Sequence, residues 1–249
     1  MRSSLRMPGE KPTFNAVIRN NRIVVTCEHA GNDVPAGYGR LFHDNPEVLS
    51  THRALDIGAL ACAERMAAVL RVPLFSCNAT RLLIDANRSL HHRTLFSEFS
   101  GTLPRNDKEW LIRNVYLAYR NRVEKLIRSR IRSKVGVLHL SMHSFTPVLH
   151  GRKRNADIGL LYDPGRIEEK VFSRSLQLEL RRLTGLRVRC NYPYRGRSDG
   201  FTTALRRVFD SRRYLGLEIE LNQALLGADS RMPADIADAF CSALLSKEK

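Results

Sequence analysis

The chain has 249 residues, 43% of them hydrophobic and 27% charged, which suits an ordinary globular protein long enough for one sizeable domain. No apolar run is long enough to span a bilayer, and the opening MRSSLRMPGEKPTFN has basic residues without an apolar core, so neither a membrane span nor a secretory leader is expected. The net charge of +16 admits two kinds of partner, polyanionic surfaces such as nucleic acid or small anionic substrates, and does not choose between them.

Taken in order, a polar lead-in over residues 1–20 gives way to RIVVTC (22–27), a β-branched run that predicts a buried strand. ALDIGALACAERMAAVL (54–70) has the composition and broad apolar face of a helix, with Asp56 near its start. VPLFSC (72–77) and RLLID (81–85) predict short strands, and the period from Asn106 to about Lys134 predicts a long helix with Trp110, Tyr119, Val123 and Ile127 near one face. VGVLHLSM (135–142) and IGLLYD (158–163) predict strands, separated by the long basic loop SFTPVLHGRKRNAD. A loop of that length in a compact domain is more often functional than idle. A helix over about 167–183, strands at LRVRC (186–190) and RYLGLEIEL (213–221), and a helix at PADIADAFCSALL (233–245) close the chain. Alternating strands and helices with no repeat or linker predict a single α/β domain over 21–249. The five cysteines, Cys27, Cys62, Cys77, Cys190 and Cys241, are odd in number and never form a CxxC pair, which argues against a disulfide framework and for a reducing cytoplasm.

In open α/β sheets, ligands bind beyond the carboxyl ends of the strands. There the sequence places His29 after the first strand, Asp85, Asn87 and Arg88 after RLLID, and His143 after VGVLHLSM. Glu218 and Glu220, two apart on one strand, share a face. Two imidazoles with carboxylates and an arginine suit a hydrolase with a single zinc ion. Such a site takes about three protein ligands, keeps one position open, and adds a carboxylate base and an anion-holding arginine. His29 and His143 would be two ligands and Asp56 the third. Glu28 is an alternative, disfavoured because adjacent residues on an extended chain point apart.

The segments TCEHAGNDVP, ALDIGA, ATRLLIDANRS, LSMHSFTPV, DIGLLYDP, NYPYRGRSDGFTT and LGLEIELNQALL, in this order from about residue 24 to 226, together resemble the N-formylglutamate amidohydrolase family. The resemblance implies a fold similar to the zinc carboxypeptidases, a central mixed β-sheet flanked by helices on both faces. It also implies one zinc held by His29, Asp56 and His143, with Glu220, or failing it Glu218, as the base. By analogy with zinc exopeptidases, Arg81, Asn87 and Arg88 polarise the substrate carbonyl or grip its carboxylate, Arg88 through its planar fork. Thr202 and Thr203 in the GFTT segment would add hydrogen bonds to a small anionic N-acyl amino acid. The sequence departs from the family where Cys-Glu precedes His29 in place of the usual proline, and in its additional arginines. A competing class is a nucleic-acid-binding protein on the same fold, because residues 105–134 hold ten basic against three acidic side chains. Sparse aromatics and the lack of a nucleic-acid motif argue against it.

Overall fold

The computed structural model describes residues 20–246. Apart from Asn20, the expected lead-in over residues 1–20 lies outside the described residues. Six strands form the central sheet: β1 (Ile23–Cys27), β2 (Leu74–Ser76), β3 (Val137–Phe145), β6 (Ile158–Leu161), β7 (Val188–Cys190) and β8 (Tyr214–Asn222). Between β3 and β6, β4 (Val148–Leu149) and β5 (Arg152–Lys153) pair as a separate small hairpin within the long basic loop. The sheet order is β2-β1-β3-β8-β6-β7. All neighbours run parallel except β6 and β8, so the sheet is mixed, as the resemblance implied.

The helices are α1 (Ala59–Leu70), α2 (Arg105–Leu111), α3 (Ala118–Arg132), α4 (Ile167–Thr184), α5 (Phe201–Val208) and α6 (Ala234–Leu245). They take opposite faces because the strand alternation divides the side chains. Leu138, Leu140 and Met142 of β3 and Leu215, Leu217, Ile219 and Leu221 of β8 join one apolar cluster with α1, α4 and α6. Val24, Val137 and Tyr214 face the other way, against Tyr119, Val123 and Ile127 of α3 and Phe201 and Leu205 of α5. All nine residues of β3 are buried, as expected of a strand covered on both faces. A third cluster lies under the loops, where Phe42, Val48, Leu83, Ile84, Leu95 and Leu103 meet Leu111 and Tyr116.

Three expectations about local structure are corrected. RLLID is no strand: Leu82, Leu83 and Ile84 fill the third cluster from a turn in which the Leu83 amide donates to the Thr80 carbonyl at 3.0 Å. Short apolar runs carry no period that separates a strand from a buried turn. The helix expected from residue 54 starts at Ala59, because Gly58 precedes it with φ of 81°, a left-handed conformation that favours glycine. Asp56 therefore sits on the loop ahead of α1. The long helix is interrupted by a wider, π-type turn at Ile112–Leu117 between α2 and α3. One continuous rod thereby presents Tyr116 to the third cluster and Tyr119 to the sheet, while Trp110 is left 42% exposed.

Candidate active site

β1, β3 and β8 end side by side, and their residues on the α3/α5 face lead into one pocket of about 230 Å³. It is lined by the expected His29, Asp56, Arg81, Asn87, Arg88, His143, Glu218 and Glu220. Parallel register puts Ser141 beside Glu218 and His143 beside Glu220, so the polar residues of the two strands climb toward the pocket in step. Gly159, on β6 opposite Glu220, leaves room for this: a Cβ there would lie 2.2 Å from the Tyr192 carbonyl oxygen and 3.1 Å from Glu220 Cβ.

His29, Asp56 and His143 are all buried, and one ligand atom from each lies within 4.8 Å of the others. The Asp56 loop reaches the histidine because its amide donates to the His29 carbonyl at 3.0 Å. Asp56 Oδ2 is 2.8 Å from His143 Nδ1 and 3.3 Å from His29 Nδ1. Each imidazole turns its far nitrogen to a second carboxylate: His29 Nε2 lies 2.8 Å from Asp85 Oδ1, and His143 Nε2 lies 3.2 Å from Glu28 Oε2. That arrangement orients histidines that bind metals. Glu28 lies outside the His29–Asp56–His143 group. Strand alternation sends it away from His29, and it meets His143 from behind.

Arg81 is tied to this cluster. Its Nη2 donates to Asp56 Oδ1 at 2.8 Å and to the His52 carbonyl, and its Nε donates to the Arg53 carbonyl. Nη1 lies 3.0 Å from His29 Nδ1, on the edge of the ring that faces Asp56. Burial alone would raise the Asp56 carboxyl, yet the charges of Arg81 and His29 and the hydrogen bonds of both histidines hold it well below the usual range. Asp85 is likewise depressed against burial, by His29, Arg81 and Arg88. Burial pulls His143 down, but Asp56 and Glu28 outweigh it and raise it well above an ordinary histidine.

Two polar groups facing this region are unsatisfied among the described residues. Glu220 Oε2 is buried and has no hydrogen-bond partner. Burial pushes the Glu220 carboxyl up to about 8, with Asp56 and Glu218 adding to the rise and His143 and Arg81 opposing it. Arg88 donates through Nη1 to the Asp199 carbonyl at 3.0 Å, but its buried Nε has no hydrogen-bond partner and lies 3.7 Å from Asp85 Oδ2. The Asn87 side-chain oxygen accepts from the Phe201 amide at 2.7 Å, fixing the start of α5.

The two threonines stand elsewhere. Thr202 is fully buried and donates to Glu218 Oε1 at 2.6 Å, and Thr203 donates to the Ser198 carbonyl; neither lines the pocket. The pocket wall comes instead from Tyr194, Arg195, Ser198 and Asp199 in the segment after β7, residues that sequence reasoning did not single out. They lie in NYPYRGRSDGFTT, a segment that carries part of the resemblance, but nothing in this polar, glycine-bearing run marks these four residues.

The sequence model of the N-formylglutamate amidohydrolases matches residues 21–226. The chain belongs to that family. An N-formylglutamate amidohydrolase family member is a hydrolase acting on amide bonds, and the matched span takes in every pocket residue above. Among solved structures, a gene product of Agrobacterium tumefaciens is 28% identical, with a TM-score of 0.75 over 92% of this chain and 94% of its own. The N-formylglutamate amidohydrolase from Ralstonia eutropha is 20% identical, with a TM-score of 0.61 over 91% of each chain, a likeness of fold. No curated protein sequence matches significantly. The donor chemistry of this family member fits a bound cation: two imidazoles and a carboxylate converge, each imidazole is backed by another carboxylate, and the buried oxygen of Glu220 lacks a counterpart.

Proposed function

We propose that the chain is a zinc-dependent amidohydrolase that removes a formyl or other small acyl group from the amino nitrogen of an acidic amino acid, with N-formylglutamate as the reference substrate. The observation that carries this reading is the buried His29–Asp56–His143 cluster opening on the partnerless Glu220 oxygen. Two imidazoles and one carboxylate are the donor set of catalytic zinc, which leaves a position open. When bound, zinc would supply a Lewis acid for the scissile carbonyl and lower the pKa of water toward ~7. A pocket of about 230 Å³ with polar walls suits a small amino-acid derivative better than a peptide or long acyl chain.

The chain's own groups then have separate tasks. Glu220 takes the proton from water and returns it to the leaving amine, and the positive charge of the loaded centre favours its ionised form. If His29 Nδ1 held the metal, Arg81 Nη1, which lies 3.0 Å from it, would be free to donate to the carbonyl oxygen as charge develops there. Arg88, steadied by the Asp199 carbonyl, offers the substrate carboxylate its Nε, which has no hydrogen-bond partner. Asn87 shapes the adjoining wall. Glu218, held by Thr202, adds negative charge beside Glu220 and is the alternative base. Residues 21–249 act as one catalytic domain. Five free cysteines suit a reducing cytoplasm, and among the described residues no helix is long and apolar enough to cross a membrane.

Elemental analysis and an N-formylglutamate hydrolysis assay, on wild type beside His143→Ala, test the proposal. About one zinc per chain, lost together with hydrolysis in the variant, is expected. A wild-type protein that takes up no metal when zinc is added would sink it.

A further inference from the structure

Glu28 is 1% exposed, and among the described residues no arginine or lysine reaches its carboxylate; its ion-pair partner is His143. Its oxygens are nevertheless fully engaged. Oε1 accepts from the Tyr119 hydroxyl at 2.8 Å, and Oε2 accepts from Ser141 Oγ at 2.6 Å while facing His143 Nε2 at 3.2 Å. Ser141 Oγ is itself 3.0 Å from His143 Nε2. A serine hydroxyl alone would leave this nitrogen's state open, because it can donate or accept. An ionised carboxylate only accepts. By taking the Ser141 proton, Glu28 leaves the serine oxygen as a second acceptor. Everything that meets Nε2 thus requires it to carry hydrogen, and the other nitrogen, Nδ1, is turned toward Asp56.

Building on the proposed metal-dependent reading, we infer that Glu28 is a positioning residue: it fixes hydrogen on His143 Nε2, aims the Nδ1 lone pair into the cluster with Asp56 and His29, and thereby sets the metal affinity of the centre. Glu28 touches neither substrate nor metal. Tyr119 anchors it from α3, on the oxygen remote from the histidine.

The test titrates zinc into the metal-stripped full chain in competition with a chromophoric chelator, for wild type, Glu28→Gln, Glu28→Asp and Tyr119→Phe, with thermal unfolding of each stripped protein alongside. In Glu28→Gln the carboxamide either donates toward Nε2 or leaves the ring without an anionic acceptor. Zinc affinity is expected to fall about 10–100-fold. Glu28→Asp restores an acceptor-only group and should recover part of that loss. Tyr119→Phe should lower the unfolding temperature and leave zinc affinity within about threefold, because the Oε2–Nε2 contact remains. Labelled-histidine nitrogen spectra of the zinc-loaded wild type should show His143 with hydrogen on Nε2. Affinity that follows unfolding temperature across all the variants, unchanged affinity in Glu28→Gln, or zinc on Nε2 of His143 would each overturn the inference. If Glu28→Gln does not fold, the Asp and Phe variants decide: Glu28→Asp must lose affinity more than Tyr119→Phe. Wild type without zinc affinity would instead break the metal-dependent reading beneath it.

Discussion

On one face of β3 and β8, Leu138, Leu140, Met142, Leu215, Leu217, Ile219 and Leu221 pack against α1, α4 and α6. On the other face the same strands carry His139, Ser141, His143 and Glu220, all buried, and the half-buried Glu218, in the same register. These groups form successive steps. His139 lies 2.7 Å from both the Thr26 and Tyr214 hydroxyls, Ser141 binds Glu28, and His143 binds Asp56. Only at the pocket does the pairing stop, with Glu220 Oε2 and Arg88 Nε left over. The apolar face stabilises the fold without regard to chemistry. The polar face costs desolvation at each step, which its hydrogen bonds largely offset, and it ends in groups without a hydrogen-bond partner.

Substitutions on the two faces should therefore fail in different ways. Glu220→Gln, at the head of the polar face, should lower kcat by about 10²–10⁴-fold while zinc content, KM and unfolding temperature stay close to wild type. A kcat close to wild type would move the base to Glu218. Leu217→Ala, on the apolar face beside Leu140, should destabilise by about 2–5 kcal/mol in urea unfolding and leave kcat of the folded protein unchanged. A kcat loss there would show that the faces are coupled through the sheet.

The smallest effect concerns pH. Burial lowers the His139 pKa from 6.5 to about 4, with Arg206 and His143 assisting and Glu28 opposing. The fold holds this ring neutral while the unfolded chain takes up a proton below 6.5, so its stabilising contribution is complete above that pH. It is lost as pH falls toward 4, by roughly 3 kcal/mol, and lost no further below it. Unfolding measured between pH 7 and 4 should show a steeper decline in wild type than in His139→Leu. Equal slopes would mean that the polar steps below the pocket carry no such penalty.

Much of this contrast is legible in the sequence. β1, β3 and β8 announce themselves as β-branched or apolar runs, and parity along them predicts that Glu218 and Glu220 share a face and that Glu28 points away from His29. What Glu28 points toward is not legible, because Ser141 and His143 are more than a hundred residues away and only strand pairing brings them near. Asp85 is visible as a strand-end acid, but its position behind His29 depends on a turn that resembles a strand in composition. Thr202 looks like a substrate contact because it lies in the GFTT segment after a glycine-bearing turn, yet helix geometry at the start of α5 points its hydroxyl at Glu218. No composition marks the wide turn at Ile112–Leu117 at all.

That turn acts as a phase setter. Each residue in an α-helix advances the side-chain direction by about 100°, and the wide turn takes up more residues than an α-helical one, so an α-helical path through the same residues 112–117 would rotate the rest of the rod about its axis. Val123 and Ile127 would swing off the sheet, and the Tyr119 hydroxyl would leave Glu28. The exposed hairpin tip at His150 and Gly151 can change in length without turning anything behind it. Tolerance to insertion and deletion in this molecule follows rotational phase more closely than distance from the pocket.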